Sequence, residues 1–195
     1  RGGGARLGVG AGGLRCWVAV ARECFEECGV LLANNAAGPI QLDATQQQSV
    51  GVSRQSLLQG DMTWAAVLQQ QHVTIASDRL VYFSHWITPP SVPRRFDTRF
   101  FLAAMPADQN AAADTDETAD DGNWVNPGEA LENARHGEWQ MIEPTKRSLE
   151  TLSQYSSVEQ ALQEVGAERH VTPWTEAAGQ QGMQQFRPDW SGITK

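Results

Sequence analysis

Arg22-Glu23-Cys24-Phe25-Glu26-Glu27-Cys28-Gly29-Val30 puts three carboxylates and a closing glycine on one short segment. Indexed at about 100° per residue, Glu26 lies about 60° to one side of Glu23 and Glu27 about 40° to the other. All three acids therefore share one stripe of a helix. Val18, Ala21, Phe25, Cys28 and Leu32 fall on the opposite side, an apolar face suited to packing against a sheet. Like charges at i,i+4 cost an isolated helix a few tenths of a kcal/mol, about 0.2–0.5, and a divalent cation among the acids would relieve that repulsion. The bland alternative is an acidic surface helix closed by a Gly cap. Gly29 is the structural stop in either case.

Composition bounds the rest. The chain has 195 residues, a length at which one domain is the default, and 41% apolar residues supply a core. Mean hydropathy is negative, and no apolar run approaches the roughly 20 residues that span a bilayer, so no membrane partner is expected. A net charge of −8 disfavours nucleic acid, whose binding relies on clustered Lys and Arg. An anionic small molecule would need metal ions to offset the repulsion. Cys16, Cys24 and Cys28 are the three cysteines, with no His or Cys pair elsewhere at zinc spacing. Reduced, packing cysteines in a cytosol-like compartment are expected. With no basic-then-apolar signal peptide, the expected location is cytoplasmic.

The acidic helix is predicted over about 14–28. Asn34 to Ser53, with Gln46-Gln47-Gln48, reads as loop, followed by a short helical pattern at Arg54 to Leu58. Asp61 is read as the N-cap of a helix over Met62 to Gln71, with Trp64, Ala65 and Leu68 at core spacing. Leu80 to Thr88 is aromatic and β-branched, hence a strand stopped by Pro89-Pro90, with Phe96 to Ala104 as its hairpin partner. Asp108 to Asp121 reads as an exposed loop. Helices are predicted from Asn126, from Pro144, and from a Ser157/Gln160 capping box.

The pattern Arg-Glu-x-apolar-Glu-Glu-x-Gly-apolar resembles the second half of the Nudix box, the signature of the Nudix hydrolases. At ordinary residue frequencies, its chance occurrence in such a chain is under about 10⁻⁴. His85-Trp86-Ile87-Thr88-Pro89 and Arg94-Arg95-Phe96-Asp97-Thr98-Arg99-Phe100-Phe101-Leu102 are similar to strands of one Nudix branch, the peroxisomal coenzyme A diphosphatases of animals and their bacterial relatives. So are Glu117-Thr118, Trp124-Val125, Glu129-Ala130-Leu131, and Pro144-Thr145 leading into Leu149 and Leu152. Two departures stand out. Leu14 occupies the place of the box's upstream Glu, and the Phe-Pro-Gly-Gly-type turn that precedes the helix in this branch is not found.

The resemblance implies an α/β chain of Nudix type, an α/β/α sandwich with a mixed sheet, N-terminally incomplete and followed by C-terminal helices. It implies a Gly-rich lead-in over 1–13, a partial Nudix domain over 14–175 with a helical insertion over 54–72, and a weakly ordered tail over 176–195. The chemistry implied is hydrolysis of a diphosphate linkage in a small molecule, coenzyme A or its acyl esters above all. Another nucleoside diphosphate derivative, or a catalytically silent binding module, is the alternative. Mg²⁺ or Mn²⁺ is the implied cofactor, with Glu23, Glu26 and Glu27 as metal ligands. Glu26, Arg22 and Glu117 are the implied catalytic residues. Arg22 either orients Glu23 or Glu26, or forms an ordinary surface ion pair. Glu117 is either an added loop carboxylate or one more solvated acid. Arg94 and Arg95 either meet substrate phosphates with planar donor forks or serve the fold. His85 is read as a satisfied core histidine.

Overall fold

The segment bearing the acidic stripe folds as helix α1 (Gly13–Cys28), and the rest of the architecture follows from what its two faces require. The computed structural model describes residues 13–91, 93–112, 124–167, 171 and 174, with side chains from residue 15 onward. These fall into two units, one of residues 13–80 and 103–112, the other of 81–102, 124–167, 171 and 174.

In the first unit α1 buries Trp17, Ala21 and Phe25, an i,i+4,i+8 stripe. Val18, read from sequence as part of the apolar face, is instead 37% exposed. The stripe centres on Ala21 and runs through the larger Trp17, which removes more apolar area from water than valine would. Phe25 is fully buried, its ring 5.5 Å from that of Trp64. After Gly29 the chain runs through Val30, Leu31, Leu32 and Ala33, all buried. It enters a small antiparallel sheet in which β1 (Ala33–Asn35) lies between β2 (Gly38–Pro39) and β3 (Thr74–Ile75).

Helix α2 (Ala44–Leu58) corrects the loop expected over Asn34 to Ser53. Asp43 caps it with a reciprocal capping box, accepting from the Gln46 amide while the Gln46 side chain accepts from the Asp43 amide. Its buried residues are Val50 and Ser53, so no apolar period marks it. It is held by polar contacts: Gln71 Nε2 donates to Ser49 Oγ (3.1 Å) and Ser53 Oγ (3.0 Å). Helix α3 (Trp64–Gln70) starts at Thr63, whose Oγ1 accepts from the Ala66 amide. Asp61 is therefore not the cap: it belongs to the turn closing α2, where Gly60 takes φ +78°. Within the span 54–72, expected from sequence as a helical insertion, residues 54–58 and 64–70 are helical.

Of the exposed loop expected over Asp108 to Asp121, residues 113–121 lie outside the described residues; Asn110, Ala111 and Ala112 are exposed as expected, and the departure is at Asp108 and Gln109. Gln109 is buried, with its Oε1 accepting from the Leu31 amide at 2.8 Å and its Nε2 donating to the Leu31 carbonyl at 3.1 Å. Asp108 accepts from the Leu42 amide, and its carbonyl accepts from Gln47 Nε2 at 2.6 Å.

The second unit is built on an antiparallel hairpin of β4 (Val81–Ile87) and β5 (Asp97–Leu102), as the sequence predicts, with a register shift between Tyr82 and Ser84. Trp174 adds a parallel bridge to Trp86, their rings stacked at 4.8 Å. Three helices follow at the predicted places: α4 (Pro127–Arg135), α5 (Glu143–Leu152) and α6 (Val158–Ala167). Asn126 caps α4 by accepting from the Gly128 amide, with Pro127 in the first turn. At α6, Ser157 accepts from the Gln160 amide, but the Gln160 side chain accepts from Ser156 and so leaves the box half closed. Among the described residues no helix is long and apolar enough to cross a membrane.

Candidate functional site on the acidic helix

On α1, Arg22 reaches two of the three acids. Arg22 Nη2 donates to Glu23 Oε1 at 2.5 Å, and its Nε stands 3.4 Å from Glu26 Oε2, one turn on. The Glu23 hydrogen bond, then the charge of Glu26, hold the guanidinium above the usual arginine range. Glu23 is half-exposed and the Glu26 side chain only 21% exposed. The arginine thus meets both Glu23 and Glu26. Glu27 lies on the next turn of the same stripe, partly buried.

The C-terminal turn of α1 is closed by groups distant in sequence. The last carbonyls of a helix have no intrahelical partner, yet each of the last four here is satisfied. Phe25 O accepts from the Gly29 amide at 3.0 Å, and Cys28 O from the Ala112 amide at 2.9 Å. Glu26 O accepts from Arg54 Nε (3.1 Å) and Nη2 (2.8 Å), and Glu27 O from the same Nη2 at 3.0 Å. A cation at this end also meets the negative pole of the helix dipole. Gly29 has φ +70°, a left-handed conformation that glycine adopts without steric cost. A Cβ there would sit 3.0 Å from Arg54 Nη1. Gly29 therefore both ends the helix, as expected, and leaves the seat that the guanidinium fills. The sequence does not mark Arg54 as a site residue, because its partners are backbone carbonyls more than 25 positions away, which leave no side-chain pattern.

The cysteines on this helix are free thiols. Burial, and secondarily neighbouring Cys28, pushes the Cys24 thiol up to about 11, so its thiolate is scarce at neutral pH.

The donors on this face are carboxylate oxygens, which hard cations such as Mg²⁺ take as ligands. Among the described residues no group of three or more His, Cys, Asp and Glu is placed to hold a metal ion. Carboxylates on one stripe of a single helix fit an ion that keeps several of its own waters, rather than a closed cage of protein ligands.

Glu117 falls outside the described residues. Arg94 and Arg95 belong to the second unit, exposed on the β4–β5 connection. Arg94 lies over the Phe96 ring, 5.2 Å from its centroid, and Arg95 Nε donates to Thr88 O at 3.0 Å. His85 is buried with Nε2 2.5 Å from Asp97 Oδ1, and Arg99 Nη1 donates to the same oxygen at 2.8 Å.

Comparison with known proteins agrees with the box. A family model described as the NUDT19 Nudix domain matches residues 13–151. Putative nudix hydrolase 7 of Caenorhabditis elegans is 33% identical over 140 residues, which is 70% of this chain and 43% of that protein. This chain thus spans less than half the length of that curated relative. The crystal structure of a NUDIX hydrolase from Alicyclobacillus acidocaldarius superposes with a TM-score of 0.65 at 23% identity, covering 78% of this chain and 67% of that one. That likeness bears on the fold and agrees with an α/β Nudix-type architecture. Nudix hydrolases cleave diphosphate linkages in small molecules and generally need divalent metal ions. With the family model spanning the acidic helix, both sheets and the helices to Thr151, the chain belongs to the Nudix hydrolase family.

Proposed function

We propose that the acidic face of α1 serves divalent-metal-dependent hydrolysis of a diphosphate linkage, with coenzyme A or an acyl-coenzyme A as substrate. The observation that carries the reading is the Arg22 guanidinium meeting Glu23 and Glu26 on one stripe with Glu27. Bound Mg²⁺ or Mn²⁺ would neutralise diphosphate oxygens and lower the pKa of a bound water. In this reading Glu23 and Glu27 are ligands, and Glu26 shares in holding the ion and takes the proton of the attacking water. Arg22 orients Glu23 and Glu26, and Glu117 adds a carboxylate. Arg94 and Arg95 are the proposed phosphate contacts, Arg95 through donors other than the Nε given to Thr88. Cleavage of coenzyme A would leave a phosphopantetheine product and adenosine 3′,5′-bisphosphate. The coenzyme A assignment rests on the similarity of the β4–β5 segment to one branch of the family, not on the helix. We place this activity in the cytoplasm.

A second reading is a catalytically silent Nudix-like binding module. It is favoured by the lack, among the described residues, of any group of three metal-holding side chains. One experiment separates the two. The chain is incubated with Mg²⁺ or Mn²⁺ and a panel of coenzyme A, acyl-coenzyme A, NADH, ADP-ribose and diadenosine polyphosphates, and the products are identified. Release of adenosine 3′,5′-bisphosphate from coenzyme A, abolished by Glu26→Gln with Glu27→Gln, is the expected result. Turnover of another member alone would move the substrate. No turnover by a folded, metal-binding sample would leave the silent module.

A further inference from the structure

The acidic stripe is made of side chains, but its carboxylates are aimed by the backbone of the last turn of α1, and that turn is not held by α1 alone. Glu26 and Glu27, two of the three acids, present their carbonyls to a single guanidinium through three hydrogen bonds of 2.8–3.1 Å. Arg54 comes from α2, and α2 is itself pinned at both levels. Asp108 accepts from the Leu42 amide just before its cap, and Gln71 bonds Ser49 and Ser53, the latter fully buried and adjacent to Arg54. The guanidinium is planar and its donors are fixed relative to one another, so spanning two successive carbonyls sets their relative orientation. The glycine at 29 is the counterpart of this contact, since any Cβ there would meet Nη1 at 3.0 Å.

We propose that Arg54 is a positioning residue for the acidic triplet: its clamp on the Glu26 and Glu27 carbonyls holds the final turn of α1 in the geometry from which those carboxylates take a divalent cation. The inference rests on the metal reading given above. Without the clamp the last carbonyls turn to water, the final turn frays, and two carboxylates lose their common direction. Groups that orient metal ligands are typically worth about 10–100-fold in metal affinity.

The test uses the full chain and Mn²⁺ alone, followed by the paramagnetic signal of free Mn²⁺ during titration, with circular dichroism on the same samples. Arg54→Gln is expected to weaken Mn²⁺ binding about ten-fold while helix content stays near that of the parent chain. Arg54→Lys keeps the charge but has a single ammonium in place of the planar fork, so it should recover only part of the affinity. Glu27→Gln sets the scale for loss of a ligand. If the parent chain binds Mn²⁺, Glu27→Gln weakens it, and folded Arg54→Gln stays within two-fold of the parent, Arg54 is not a positioning residue although the metal site stands. If the parent chain binds no Mn²⁺, or Glu27→Gln changes nothing, the metal reading fails and the role of Arg54 falls with it. Should Arg54→Gln lose helix content, Arg54→Lys decides: parental affinity in a folded Arg54→Lys overturns the role of the fork.

Discussion

Replacing Gly29 by alanine tests the packing at the end of the acidic helix most directly. Two costs are expected, and the structure supplies a control for one of them. The first is conformational, because at φ +70° an alanine pays for the left-handed region, about 1–2 kcal/mol. Gly60 lies in the same unit at φ +78° with nothing within 4 Å of an added Cβ, so Gly60→Ala measures this cost alone. The second is specific to Gly29, where the new methyl stands 3.0 Å from Arg54 Nη1, 3.4 Å from Cζ and 3.5 Å from Cδ. A free arginine would swing away at little cost. This one is tied to two carbonyls, so moving it weakens bonds that, with a charged donor, are worth about 1.5–3 kcal/mol each when well shielded. Arg54 is only partly buried, so about 1–2 kcal/mol in all is the better figure after solvent screening. Gly29→Ala should therefore cost about 2–4 kcal/mol and Gly60→Ala about 1–2, read as shifts in the urea midpoint at unchanged slope. In an Arg54→Ala background the excess at Gly29 should vanish, giving a coupling of about 1 kcal/mol or more. Equal costs at the two glycines, or an excess that persists without Arg54, would refute the seat-and-clamp account.

Other outcomes follow from the same unit. Gln109→Ala leaves the amide and carbonyl of buried Leu31 without partners and should cost about 2–4 kcal/mol in urea unfolding; a change under about 0.5 kcal/mol would mean water replaces the side chain. Phe25→Ala empties a fully buried site against Trp64 and should cost about 3–5 kcal/mol by the same measurement, with Phe25→Leu milder. Cys24, raised from an ordinary value near 9 to about 11, should be about one part in a thousand thiolate at pH 8 and resist iodoacetamide in the folded chain. Its proton is held more tightly folded than unfolded, so the stability it contributes is present below pH 9 and lost as pH rises toward 11. Cys24→Ala should flatten that alkaline decline, and an unchanged decline would place its source elsewhere.

Much of this chain is legible without coordinates, wherever local rules suffice. The acidic helix and its stop at Gly29, the β4–β5 hairpin, and the starts of α4 and α5 each carry their own signal: a helical period, a β-branched run, or a proline in the first turn, joined at α4 by the Asn126 cap. The union of Arg22 with Glu26 is equally local, because side chains at i and i+4 are neighbours on a helix, whereas Glu23 at i+1 is met only because the arginine side chain is long enough to reach around the helix.

Helix α2 shows where such signals end. It buries a serine and a valine and is fastened by amides and hydroxyls, so the apolar period that marks a helix from sequence is absent even though Gln46-Gln47-Gln48 have good helix propensity. Gln109 reads as a polar loop residue, yet it closes the Leu31 peptide from 78 positions away. Thr63, and not Asp61, begins α3 because the turn after α2 has already used Asp61. Three acids on one helical stripe follow from residue order and helix pitch alone, a matter of covalent spacing. What holds the end of that stripe is another matter: backbone carbonyls accept from any donor that the fold delivers, and only the packed chain brings Arg54 to Glu26 and Glu27.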